Sequence, residues 1–139
     1  MKVKIPSKME SVTNPENVSK IFNTILNTES ELDKTKEHFW VIGLNTANKI
    51  KIIELLGIGT SNRCTIYPKE VFRTLLHYSC DNFIIAHNHP SETLKPSQDD
   101  IKICNHLKEG GSYMDFNLLD SIIICNDNKY FSFRENNMI

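Results

Sequence analysis

The sequence lacks the marks of several common protein classes. No apolar run approaches the roughly 20 residues that span a bilayer. The first residues, Met1-Lys2-Val3-Lys4-Ile5-Pro6, contain no apolar signal region. No basic cluster exceeds Lys34-x-Lys36, and the formal net charge is −1. Charge therefore gives no reason to expect strong attraction to nucleic acid. Cysteines stand at 64, 80, 104 and 125, with no Cys-x-x-Cys pair among them. That spacing argues against both a cysteine zinc site and a disulfide framework. Cys104 and Cys125 lie among apolar residues and read as small core residues. Cys64 reads as more exposed, with nothing beside it to activate a thiolate. Internal repeats and low-complexity segments are absent. These absences lead to the expectation of a cytoplasmic protein with no membrane partner.

The chain has 139 residues, of which 40% are hydrophobic, enough for one packed core and not two. Residues 1–14 read as a lead-in with a short strand at Val3 to Ile5, residues 15–135 as the domain, and residues 136–139 as a tail. Asn14-Pro15 is a helix start, a capping side chain followed by proline. Val18, Ile21, Phe22 and Ile25 then share one face of a helix reaching about Asn27. Phe39 to Leu44 reads as a strand buried on both faces. The turn Asn45-Thr46-Ala47-Asn48 leads to a second strand, Ile50 to Ile58, and hence a hairpin. Pro68 starts a helix with an apolar stripe of Val71, Phe72, Leu75 and Leu76. Asn82 to His89 is a third strand. Ser97 to about Glu109 is a helix burying Ile101, Cys104 and Leu107, with Gly110-Gly111 as its stop. Phe116 to Cys125 and Tyr130 to Phe133 are two more strands, and the polar stretch from Glu135 is expected to fray. Helices interspersed with paired strands indicate an α/β fold, a three-layer-like sandwich with a mixed sheet flanked by helices.

The stretch around which the chain is organised is Ile84-Ile85-Ala86-His87-Asn88-His89-Pro90, followed by Pro96-Ser97-Gln98-Asp99-Asp100. Side chains along a strand repeat every second residue. His87 and His89 therefore face one side and Asn88 the other, where it is expected to tie down the loop by hydrogen bonds. A helix beginning at Ser97 brings Asp100, in its first turn, back toward the two imidazoles. His87, His89 and Asp100 are thus candidate zinc ligands on two rigid elements. Ser97-x-x-Asp100 is also a variant capping box, and capping is compatible with facing a site. Asp99 reads as a helix-dipole residue. His77 reads as a surface or half-buried residue, and His106 as a structural or exposed one. The letters His-Asn-His do not make an HNH nuclease, whose three residues are scattered over tens of positions. A zinc nucleoside deaminase needs His-x-Glu and Pro-Cys-x-x-Cys, and neither is present.

This string resembles the metal motif of the JAB/MPN/Mov34 (JAMM) metalloprotease family. His87-Asn88-His89-Pro90-Ser91 with Pro96-Ser97-Gln98-Asp99-Asp100 looks most like its RadC branch. The resemblance extends to Gly59-Thr60, to Tyr67-Pro68-Lys69-Glu70-Val71 and to Glu37-x-Phe39, covering about residues 15 to 135. It implies the JAB/MPN, cytidine-deaminase-like fold, one Zn2+ per chain and hydrolysis of peptide or isopeptide bonds. It further implies that Glu37 is the general acid–base, matching a glutamate at the start of the first core strand. Read alone, Glu37 is a solvated charge before a strand. The resemblance also implies that Ser97 hydrogen-bonds the oxyanion.

Two departures stand out. Relatives commonly have glycine where this chain has Glu92. They also commonly have Asp-His where this chain has Asp120-Ser121, so a role supporting the ligands is expected to be missing. Fuller RadC proteins add a helix-hairpin-helix module of the DNA-binding kind, for which 139 residues leave no room. A DNA-repair-associated accessory role is therefore the weaker alternative, beside a non-catalytic interaction domain. The expected partner is a protein or peptide substrate, and an exposed edge strand leaves a homodimer open.

Overall fold

The computed structural model describes residues 11–12, 14–60 and 65–139. The strand expected at Val3 to Ile5 and the exposure expected of Cys64 lie outside the described residues. Among the described residues nine elements follow in order: α1 (Pro15–Leu26), a 3-10 turn (Asp33–Thr35), β1 (His38–Leu44), β2 (Ile50–Ile58), α2 (Pro68–His77), β3 (Asn82–Asn88), α3 (Gln98–Tyr113), β4 (Asn117–Ile124) and β5 (Tyr130–Ser132). None of the described helices is long and apolar enough to cross a membrane.

The five strands form one mixed sheet in the order β2-β1-β3-β4-β5. β1 runs antiparallel to both β2 and β3, while β3 and β4 are parallel and connected through α3. Alternation along the strands sorts the core into two halves. Trp40, Ile42, Ile84, Ala86 and Ile122 pack with Val18, Ile21 and Phe22 of α1. Phe39, Val41, Phe83, Ile85 and Ile123 pack with Val71 and Leu75 of α2 and with Cys104 and Leu107 of α3. The result is the three-layer α/β sandwich, with α1 on one face and α2 and α3 on the other. β1 is buried along its whole length, as its continuous apolar run requires. Cys104 sits in this interior, where burial pushes its thiol up to about 11, so it behaves as a small core residue.

Four sequence expectations are corrected. Leu76 is exposed, while Thr74 is buried. Helical residues advance about 100° each, so the buried arc through Val71, Thr74 and Leu75 leaves Leu76 about 140° from Val71. Thr74 is accommodated by hydrogen bonding to the Glu54 carboxylate of β2.

Gly110-Gly111 is no helix stop, since α3 continues through it to Tyr113. A side chain at Gly111 would come within 2.8 Å of the Phe116 carbonyl oxygen, and one at Gly110 within 3.1 Å of the Phe72 ring. These glycines serve close packing. The left-handed residue after the helix is Asp115, at φ 61°.

β3 ends at Asn88, one residue short of His89, although the His89 N–H still donates to the Ile124 carbonyl at 3.0 Å. The stretch from Glu135 does not fray. The Arg134 and Glu135 amides donate to the Asp120 carboxylate and the Ser132 hydroxyl, at 3.0 and 3.1 Å. The Met138 amide donates to the Phe133 carbonyl at 2.8 Å. A buried carboxylate and hydroxyl, which need partners in the interior, hold the chain end in place.

Candidate metal centre

His87 is the penultimate residue of β3 and shares a face with Ile85, the side covered by α2 and α3. Pro90 follows His89, and the chain turns across residues 91–96 to Ser97, the N-cap of α3. The capping box is complete. Ser97 Oγ accepts from the Asp100 N–H at 3.1 Å, and Asp100 Oδ2 accepts from the Ser97 N–H at 2.8 Å. The cap therefore fixes the Asp100 carboxylate, and the same carboxylate faces both imidazoles.

His87 Nε2 lies 3.1 Å from His89 Nε2 and 3.1 Å from Asp100 Oδ1. His89 Nε2 lies 3.1 Å from Asp100 Oδ2. One atom from each residue falls within 4.8 Å of the others, a grouping that can hold a metal ion. Tetrahedral zinc with bonds of about 2.0–2.1 Å sets neighbouring ligand atoms roughly 3.3 Å apart, close to the spacing seen. The chemistry of the set fits as well. His89 Nδ1 lies 2.6 Å from the Thr93 carbonyl oxygen. A ring nitrogen facing a carbonyl must be the donor, which leaves the Nε2 lone pair pointing inward. That lone pair and the Asp100 carboxylate oxygen then face each other at 3.1 Å, an arrangement that a cation between them satisfies.

Burial works against charge on the His89 ring, but the hydrogen bond to Asp100 and that to the Thr93 carbonyl outweigh it and raise its pKa above the ordinary histidine value. Burial likewise opposes ionisation of Asp100. Hydrogen bonds from the two histidines nevertheless hold that carboxyl far below the usual range.

Glu37 stands immediately before β1 and is buried. Its N–H donates to the Thr60 carbonyl and its carbonyl accepts from the Gly59 N–H, both at 2.8 Å. Its carboxylate reaches 4.0 Å from His89 Nε2, outside the ligand set but beside it. Burial raises its pKa, and the charges of His87 and His89 pull it partly back.

Glu37, His87, Ser97 and Asp100 all line one cleft of about 370 Å3, the size of a small-ligand site. Ser97 faces this cleft while capping α3, and among the described residues its hydroxyl proton has no partner. Asp99 and His106 also line the cleft. Read from sequence as a helix-dipole residue and as a structural or exposed one, both are exposed. Tyr67, part of the resembling stretch but given no role from the sequence, and Ile103 form apolar wall. No local pattern marks them, because only the docking of α2 beside α3 brings them to the site.

The two departures have structural consequences. Glu92 has φ 63°, a left-handed conformation that glycine adopts without penalty. Its carboxylate accepts from the Asn126 side chain, tying the loop to the turn after β4. Ser121 is buried beside Cys104, and His87 Nδ1 is buried with no partner among the described residues. Asn88 points away from the ligands, as expected. Its bonds run to the segment entering β1 rather than to the loop after Pro90.

Comparison with known proteins agrees with the family resemblance. A family model described as "RadC-like JAB domain" matches residues 12–138. A UPF0758 protein of Chlorobium chlorochromatii is 40% identical over 107 residues, covering 77% of this chain and 48% of the relative. A UPF0758 protein of Caldanaerobacter subterraneus subsp. tengcongensis is 38% identical over 125 residues, covering 90% of this chain and 51% of the relative. The chain thus spans about half the length of the curated relatives it matches. With the family model covering almost all the described residues, the chain belongs to the RadC-like JAB domain family.

Proposed function

We propose that the chain is a zinc-dependent hydrolase of amide bonds, peptide or isopeptide, acting on a protein or peptide in the cytoplasm. The observation that carries this reading is the convergence of His87 Nε2, His89 Nε2 and the Asp100 carboxylate, beside a cleft that His87, Asp100 and Glu37 line. Three protein ligands leave a position open, as catalytic zinc sites do and structural ones do not. Zinc bound there would supply a Lewis acid that makes water acidic enough to react near neutral pH.

The chain's own residues do the rest. His87, His89 and Asp100 would hold the ion. Glu37 takes the proton from the attacking water and delivers it to the leaving nitrogen as the carbon–nitrogen bond breaks. Burial raises its pKa, toward the range in which one carboxyl both accepts and gives a proton. Ser97 donates its hydroxyl proton to the carbonyl oxygen as that oxygen gains charge. The apolar wall of Tyr67 and Ile103 holds substrate side chains against α3.

The test is a hydrolysis assay of the full chain, loaded with zinc, against a panel of quenched peptides and isopeptide-linked conjugates. Cleavage of at least one class is expected, abolished by chelator, restored by zinc, and absent in His87→Ala. Cleavage that survives chelation and His87→Ala would contradict the proposal. So would a zinc-loaded chain inert toward every class.

A further inference from the structure

We propose that Asn88, the residue between the two histidines, is the positioning residue for Glu37. The inference rests on the hydrolase reading, in which Glu37 moves the proton. It is built on contacts independent of the ligand set. Asn88 Oδ1 accepts from the His38 N–H at 2.6 Å, and Asn88 Nδ2 donates to the Lys36 carbonyl at 3.0 Å. A single carboxamide thereby binds the two backbone groups that flank Glu37. The remaining two, Glu37's own N–H and carbonyl, bind Thr60 and Gly59. Every backbone polar group from the Lys36 carbonyl to the His38 N–H is thus tied down.

The sheet explains why a side chain does this. β1 and β3 are paired as far as Phe39 and His87. Beyond that point β3 ends, and the His89 N–H turns to β4. Glu37 therefore lies where the β3 side of the ladder has run out. The Asn88 side chain supplies an acceptor and a donor in one plane, as a peptide unit would, and extends the ladder by one step. No other short side chain offers both groups at that spacing. Aspartate lacks the donor, and serine is too short to bridge them. The orientation of the amide is fixed, because flipping it would set an NH2 against an N–H and an oxygen against an oxygen.

Asn88 is buried and lies on the face opposite the metal site, so it touches neither ligands nor substrate. It acts through Glu37. The His-x-His repeat thus does two things at once. Its outer residues present ligands to one face, and its middle residue fixes the general base from the other.

The experiment compares wild type with Asn88→Ala and, should alanine compromise folding, Asn88→Ser. Zinc content is expected to be unchanged, kcat to fall about 10- to 100-fold, and KM to stay within about threefold. In a Glu37→Gln background the same substitution is expected to have little further effect, because both changes remove one function. Two readouts need no activity. The His38 amide should lose hydrogen-exchange protection in the variant. The side-chain carboxyl resonance of Glu37, followed by carbon-13 NMR, should broaden or shift while the His87 and His89 ring signals hold their positions.

Unchanged kcat, or a loss that multiplies fully with Glu37→Gln, would overturn the proposal. So would an unaltered Glu37 resonance. If the wild type proves inert, the hydrolase reading fails on its own, and the NMR and exchange readouts still decide whether Asn88 holds Glu37.

Discussion

Replacing Glu37 by glutamine is expected to lower kcat about 10²- to 10⁴-fold, the usual worth of a general acid–base, which corresponds to roughly 3–5 kcal/mol of barrier. Zinc content is expected to be unchanged, because the carboxylate stands 4.0 Å from the nearest ligand nitrogen and is not among the converging atoms. Glutamine keeps the size and the hydrogen-bonding oxygen of glutamate but cannot carry a proton away. Burial of the site argues for folding that is at least as stable, since an ionised carboxylate in a desolvated place is replaced by a neutral amide. The check is steady-state kinetics beside metal analysis on the same preparation. An activity within threefold of wild type would remove Glu37 from the mechanism. Loss of zinc together with activity would make it a ligand instead.

The second large effect lies on the other face of the sheet. Replacing Trp40 by alanine is expected to destabilise the fold by about 3–5 kcal/mol. Trp40 is 1% exposed and central to β1, with its ring 4.6 Å from Phe22 of α1 and 5.4 Å from His38. Removing it empties the contact between α1 and the sheet, and the surrounding strands are too tightly paired to collapse into the space. Because Phe39, not Trp40, faces His87, the folded fraction of the variant should still bind zinc. Chemical denaturation followed by metal titration separates the two effects. A loss below 1 kcal/mol would mean that the α1 layer contributes little to the fold.

The parts of this protein that were legible in the sequence are those set by local periodicity. His87 and His89 declare a shared face because two residues make one strand repeat, and Ser97-x-x-Asp100 declares a helix start because capping is local. The hairpin of β1 and β2 is visible in its Asn-rich turn between two apolar runs. What was misread depends on contacts distant in sequence. Gly110-Gly111 looks like punctuation until the Phe116 carbonyl and the Phe72 ring are seen to need that space. Leu76 looks like core until α2 settles with Val71 and Leu75 inward and Thr74 bonded to Glu54. The tail looks free until Asp120 and Ser132 are seen to bind it. Glu37 lies between these cases. Its place before β1 could be read, but a single acid before a strand says nothing of what faces it. The bracket that Asn88 forms around it spans some 50 residues of sequence, and no local pattern foretells it.

The proposed hydrolase stands on one zinc ion held by His87, His89 and Asp100. The most direct test is the zinc content of protein purified without chelator and then titrated with zinc, for wild type and for His89→Ala side by side. About one zinc per wild-type chain, with none retained by the variant, is the result predicted for a three-ligand site. A wild-type chain that takes up no zinc, or a variant that holds as much as wild type, would contradict it.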